Sequence, residues 1–323
     1  MSATLGDLTI VVVTWENAAE VRPLVTSLGP TLAAGAELVV VDNASTDTTR
    51  AELGACAPQA LLIANTTNRG FAAAANQGLG ASRRRFVLFL NPDAIVETDA
   101  VPRALAYLDG LPAVGVVGCR TLNADGTPQA TVDRFHSVRG LVAEAWSGAR
   151  ASGTPRGSSP CASGIVDWVY GSFLLGRRAA LDAVGGFDEA YEMYGEDLDL
   201  CHRLRAAGWA TAYCAEATVV HHGNRSGARR YGAARDVAVL RGTLRFFRRR
   251  RGRLSELAFR LVAGVRFAWQ AARASVSAGG DARAADRARR YAAMARLCLG
   301  GDPAGRRADA ARSRGCGSGT LLG

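Results

Sequence analysis

The chain has 323 residues, 48% hydrophobic and 21% charged, a composition that excludes wholesale disorder and leaves room for one large or two modest domains. Its net charge of +10 is uneven: residues 1–224 carry 16 arginines against 23 acidic residues, residues 225–323 carry 23 against 6, and there is no lysine. With no apolar run of about 18 residues, no basic-then-apolar leader, and seven cysteines without a Cys-x-x-Cys pair, neither a membrane span, a secretory signal, a disulfide framework nor a structural zinc site is expected, and a reducing cytoplasm fits.

In chain order, residues 9–14 are a β-branched run that reads as a strand, followed by a helix over about 18–32. A second strand over 37–41 ends at Asp42-Asn43, and Ser45 to Asp47 reads as a turn and cap before a helix through the fifties. A third strand over 61–64 leads to a turn at Asn68-Arg69-Gly70 and a helix over 71–82. A fourth strand over 86–90 ends at Asn91-Pro92-Asp93. This alternation predicts an α/β fold with a mostly parallel sheet. Polar residues follow the strands, where open α/β sheets bind ligands. Residues 148–164, rich in Gly, Ser and Pro, read as a mobile loop. Beyond it come a strand region over 166–176, a short helix over 177–184 stopped at Gly185-Gly186, and a helix over 196–207 closed by Gly208. Short strands over 211–214 and 218–220 lead to His221-His222. The last third reads as helical, with apolar residues at 254, 257, 258, 261, 262, 265, 268, 269 and 272 in helical spacing and Arg253, Arg260 and Arg266 off that stripe. From about residue 300 the chain is expected to fray.

Three clusters carry chemistry. Asp42 is either a turn residue after a strand or an acceptor for the N3–H of a pyrimidine base. Asn91-Pro92-Asp93 is either a type I turn or a carboxylate that holds a divalent cation against a leaving diphosphate. Glu196-Asp197-x-Asp199 opens a helix, where acidic residues gain ~0.3–1 kcal/mol. Three carboxylates in four residues exceed what capping requires, and transfer to a hydroxyl needs one base. The first strand is followed by TWENAAE, without the glycine-rich turn of a dinucleotide-binding dehydrogenase.

Four segments taken in order resemble a known family: VVVTWEN (11–17), VVVDNASTD (39–47), NRGFAAAANQG (68–78) with FLNPDA (89–94), and GSFLLGRRAALDAVGGFDEAYEMYGEDLDLCHRLRAAGW (171–209). Together they look like a family 2 inverting glycosyltransferase of the GT-A fold, the nucleotide-diphospho-sugar transferase type with a Rossmann-like mixed sheet. The likeness is strongest to bacterial rhamnosyltransferases of cell-surface polysaccharide assembly, and it covers about residues 8–226. It implies a nucleotide-sugar-binding half over 1–110, an acceptor-binding half over 111–226 and a basic helical extension over 227–323. It implies that Thr14, Asp42, Asn68, Gly70, Asn76, Asn91 and Asp93 bind the donor, with Asn91 at the first position of an Asp-x-Asp motif. Asp93 and His221, the latter in HHGNRS, are the implied ligands of Mg²⁺ or Mn²⁺. Trp168, Gly171 and Glu196 are placed at the acceptor, Asp197 is the implied catalytic base, and Asp199 is structural. The implied donor is a pyrimidine diphospho-sugar such as dTDP-rhamnose, and the acceptor a glycan or polyprenol-linked hydroxyl.

The run RFFRRRRGR over 245–253 beside an amphipathic helix points to an anionic membrane surface and places the protein at the inner face of the plasma membrane. The other reading of the tail is a helix packed on the rest of the protein. Nucleic acid is not an expected partner, because no recognition motif accompanies the charge. The rival to catalysis, a basic membrane- or nucleic-acid-binding protein on an inert α/β scaffold, leaves the Glu196–Asp199 cluster unexplained.

Overall fold

The computed structural model describes residues 2–146, 159–223, 231–277 and 281–300. The chain forms two compact units, Met1–Phe135 with Pro155–Gly232, and His136–Thr154 with Ala233–Gly323.

The first unit is built on a nine-stranded mixed sheet. Strands β1 (Leu8–Thr14), β2 (Glu37–Asp42), β3 (Leu61–Ala64) and β4 (Phe86–Leu90) are parallel, in the order β3-β2-β1-β4. The apolar runs of β1 and β4 are buried almost end to end, as strands covered on both faces require. Helices α1 (Ala18–Ala33), α2 (Thr49–Cys56) and α3 (Phe71–Ala81) are the crossovers. In α3 the small residues Ala72 to Ala75 are buried, which lets the helix lie close on the sheet.

Two further strands and a helix follow: β5 (Ala94–Val96), α4 (Ala100–Asp109) and β6 (Val114–Leu122). Sequence reading assigned nothing to them, yet β6 is an interior strand. Its run is broken by glycines because a Cβ on Gly118 would stand 2.7 Å from the Cβ of Val169. The strand region expected over 166–176 resolves into β8 (Gly164–Val166), β9 (Trp168–Val169), which pairs with β7 (Val132–Asp133), and β10 (Phe173–Arg177). β10 runs antiparallel between β4 and β6. Helix α6 (Arg178–Ala183) ends at Gly185 and Gly186, both at positive φ, and α7 is Glu196–Ala206. The two short strands expected over 211–220 are one strand, β11 (Ala210–His221), parallel to β6, with a register shift between Cys214 and Thr218. That bulge is what made one strand look like two.

The second unit is helical. It contains α5 (Val138–Trp146), α8 (Arg235–Phe246), a π-helical turn Phe247–Arg251, α9 (Arg253–Val276) and α10 (Ala282–Leu299). Its centre is aromatic: Phe247 stacks on Phe259 at 4.5 Å and Phe267 faces Tyr291 at 6.4 Å. The stripe expected on α9 is present but faces outward. Phe259, Ala263 and Phe267 are buried on the opposite side, while Leu254, Leu257, Leu261, Val265 and Trp269 are exposed. The off-stripe Arg260 lies on the packed side. Its Nε donates to Glu256 at 2.8 Å and its Nη1 to the Leu297 carbonyl at 2.9 Å, closing the C-terminal end of α10.

Candidate functional site

The carboxyl ends of β1 and β4 open into a cleft lined by Val13, Thr14, Trp15, Asn43, Asn68, Phe71, Asn91, Pro92, Asp93, Glu192 and Met193. Four of the residues expected to bind a donor, Thr14, Asn68, Asn91 and Asp93, are therefore gathered at one place. Three others lie behind it. Asp42 is fully buried and accepts from the Ser45 amide at 3.1 Å, the Ser45 hydroxyl and the Thr14 hydroxyl at 3.2 Å. The carboxylate is turned into the protein and bonded within the turn that follows β2. Gly70 sits at φ 82 with its Cα against Glu192, where a Cβ would approach the Glu192 carbonyl to 2.8 Å. Asn76 clasps Phe187, donating to its carbonyl at 2.9 Å and accepting from its amide at 2.9 Å. Asn43, which sequence reading passed over, ties the loop to the end of β2. Its side chain donates to Asn68 at 3.0 Å and accepts from the Arg69 amide at 2.9 Å.

Asp93 and His221 meet across β5 and β11. Asp93 Oδ1 is 3.1 Å from His221 Nε2, both groups are nearly buried, and Asn91 Nδ2 is 3.2 Å from the same nitrogen. The other ring nitrogen, Nδ1, is 3.0 Å from Gln129 Oε1. The Gln129 amide nitrogen donates to the His221 carbonyl and to Asn123 Oδ1, each at 2.7 Å, which fixes its oxygen toward the ring. Nδ1 therefore donates to Gln129, and Nε2 is the ring nitrogen that faces Asn91 and Asp93. A carboxylate and an oriented imidazole are a pair of groups that suits a divalent cation. Among the described residues no group of three or more His, Cys, Asp or Glu side chains forms a metal cluster. The His222 amide donates to the Asp93 carbonyl at 3.0 Å, and residues 224–226 of HHGNRS lie outside the described residues.

The acidic cluster begins α7, where Gly195 adopts φ 92. Asp197 accepts from the Gly171 amide at 3.0 Å and the Leu198 amide at 2.8 Å. Glu196 is buried, and its Oε2 has no hydrogen-bond partner. Burial pushes both carboxyls above the usual carboxylate range; the charge of Asp197 raises Glu196 further, while the two amides restrain Asp197. Asp199 is wholly buried and held by Arg203 Nε at 2.6 Å and the Tyr191 hydroxyl at 3.2 Å, a structural pair. Gly171 holds the proposed base, and Trp168 is buried with Nε1 donating to the Arg134 carbonyl at 3.1 Å. The ring beside it, Tyr170, has its hydroxyl 3.3 Å from Asp133, and its pKa is driven up by burial and by the charges of Asp133 and Asp197. Tyr170 and Gln129 went unnoticed in the sequence; only the position of Tyr170 directly before Gly171 could have drawn attention to it.

Ser172 joins these parts. Its carbonyl accepts from the Asn91 amide at 3.1 Å, while the amide of its neighbour Gly171 binds Asp197. The Asn91–Asp93 turn and the acidic pair are thereby held by adjacent residues.

The sheet unit thus brings together a mixed sheet with a cleft at its strand ends, a buried Asp–His pair and the Glu196–Asp197 carboxyl pair. Residues 9–184 match Glycosyl transferase family 2, and the chain belongs to that family. It is similar to the N-acetylglucosaminyl-diphospho-decaprenol L-rhamnosyltransferase of Mycobacterium tuberculosis (strain ATCC 25618 / H37Rv), with 29% identity over 237 residues, covering 67% of this chain and 76% of that protein. It is also similar to Rhamnosyltransferase WbbL of Escherichia coli (strain K12), with 32% identity over 145 residues, 44% of this chain and 54% of that one. In fold it resembles the mannosyltransferase PcManGT from Pyrobaculum calidifontis, solved with GDP-Man and Mn²⁺, at TM-score 0.52 and 19% identity, covering 99% of this chain and 79% of that one.

Proposed function

We infer that the chain transfers a sugar from a pyrimidine diphospho-sugar, with dTDP-rhamnose the leading candidate, to a hydroxyl of a glycan or polyprenol-linked acceptor, with inversion, at the inner face of the plasma membrane. The rhamnosyltransferase relatives support the sugar, and the decaprenol-linked name of one of them supports the acceptor class. The observation that carries the reading is the join at Gly171 and Ser172, which registers the acidic pair against the Asn91–Asp93 turn.

In this reading Thr14, Asn68 and Asn91 receive the donor. Asp93 and His221 hold Mn²⁺ or Mg²⁺, which when bound offsets the charge on the departing diphosphate. Asp197 stays ionised through its two amide donors and takes the proton of the acceptor hydroxyl as that oxygen attacks the anomeric carbon from the face opposite the diphosphate. Glu196, with the more strongly raised pKa, keeps its proton and donates it as a hydrogen bond to the acceptor. Tyr170 lies near Asp197, whose charge helps raise its pKa.

A donor panel read by protection against thermal unfolding tests the reading. dTDP- and UDP-sugars are expected to raise Tm well above the effect of GDP-sugars; equal protection by GDP-sugars would refute the donor class. Asp42→Asn separates the two roles open to that residue. A lower Tm with base discrimination retained is expected from the turn, whereas lost discrimination at unchanged Tm would mark a base contact.

A further inference from the structure

The outward face of α9 takes no part in the site. Leu254 and Val276 are 85% and 87% exposed, and Leu257, Leu261, Val265 and Trp269 are each more than half exposed. At 3.6 residues per turn these six side chains fall within roughly a third of the helix circumference. The stripe from Leu254 to Val276 is about 33 Å long at 1.5 Å per residue. Singly scattered apolar residues are ordinary on a protein surface, but a continuous stripe of this length is not. The opposite face is already occupied by Phe259 and Phe267 in the helical core and by the Glu256–Arg260 pair.

The chain itself has little with which to cover the stripe. The large apolar residues whose side chains lie outside the described ones are Met1, Trp146, Leu321 and Leu322. The surroundings are strongly cationic, with sixteen arginines against four acidic residues over 231–300. Arg248, Arg249, Arg251 and Arg253 are exposed where the chain enters α9. Toward its other end, the Arg273 guanidinium lies 4.6 Å over the ring of Trp269. No helix among the described residues is long and apolar enough to cross a membrane. An apolar stripe with a tryptophan, bordered by arginines and opposed by a polar or packed face, is the make-up of a helix that lies in an anionic bilayer interface.

We propose that α9 is the membrane-contact surface of this protein: its outward stripe beds among acyl chains of an anionic bilayer while the flanking arginines meet lipid phosphates. The proposal rests on the membrane-surface part of the functional reading, and it assigns the attachment to apolar burial as well as to charge. Salt weakens the arginine contribution but leaves the apolar one in place.

Flotation of the full-length protein with phosphatidylcholine vesicles containing about 30% phosphatidylglycerol tests this, against pure phosphatidylcholine. The protein is expected to float with the anionic vesicles and to remain partly bound from about 0.1 M to about 0.5 M NaCl. The triple variant Leu257→Gln, Leu261→Gln, Trp269→Gln is expected to bind about 100-fold less well. It should keep its Tm, its sedimentation coefficient and its transfer to a detergent-soluble acceptor. Wild-type-like flotation of the variant, or complete release of the wild type by salt, would overturn the proposal. So would a dimer that the triple variant dissociates without any vesicle binding, since the stripe would then face a second copy. Should the triple variant fail to fold, quenching by brominated lipids decides: Trp269→Phe must remove the quenched emission, and unchanged quenching rejects the proposal. Transfer without vesicle binding overturns only the membrane surface. Vesicle binding without transfer from any pyrimidine donor overturns only the enzymatic reading.

Discussion

In the sheet unit, charged side chains leave the surface at strand and helix ends, and each is met there: Asp42 by Ser45 and Thr14, Asp93 by His221, Asp199 by Arg203 and Tyr191. In the helical unit Glu256 goes inside, between Arg248 and Arg260, while large apolar side chains stay outside along α9. The sheet unit buries polarity to hold a reaction geometry. The helical unit buries it to close a helix end and leaves apolar side chains exposed. Glu196 is the exception in the first unit, because its Oε2 is buried and unpartnered.

The largest effect expected comes from removing Asp197, the carboxylate proposed as base. Asp197→Asn should lower kcat by about 10²–10⁴-fold with nucleotide affinity nearly intact, and Asp199→Asn should instead lower Tm. The raised pKa of Asp197 should put the acid limb of the kcat profile above the usual carboxylate range, with activity falling as pH drops. Near-normal turnover in Asp197→Asn beside loss in Asp199→Asn would reverse the roles given to the two residues.

Next in size is the imidazole support. Gln129→Leu leaves Nδ1 of His221 without its fixed partner, so Mn²⁺ affinity measured by calorimetry in the presence of the nucleoside diphosphate should weaken about 10–100-fold. Unchanged affinity would mean that Gln129 only packs.

The smallest concerns the exception. The folded-state pKa of Glu196 is raised, so its contribution is present below the unfolded pKa and is lost as pH rises through the folded one. Glu196→Gln should therefore raise Tm on the alkaline side, by about 4 °C or more, and leave it unchanged in acid. A gain of equal size in acid would show that charge is not the cause.

Much of the sheet unit was legible because its signals are local. β1 to β4 are short apolar runs ended by polar turns, and Glu196-Asp197 announces itself at a helix start. β6 was not legible, since its glycines answer to Val169 and other distant neighbours, and β11 looked like two strands because of its bulge. Within the site, the sequence marked Thr14, Asn68, Asn91 and Asp93 for the cleft, but it could not tell a cleft residue from one bonded just beneath it, as with Asp42 and Asn76. On α9, periodicity found the apolar stripe but not its direction. Phe259 and Phe267 lie on the other side and occupy the core, and only tertiary packing decides which face is buried.

The place of β10 in the sheet has a consequence for how the protein is made. β10 separates β4 from β6, so the sheet cannot close until residues 173–177 have left the ribosome. Until then the FVLFL strand of β4 has an unpaired edge, the kind of surface on which chains add to one another. A nascent chain is therefore exposed to aggregation over the whole interval between residues 90 and 173, and the long sequence separation of this pairing slows its closure.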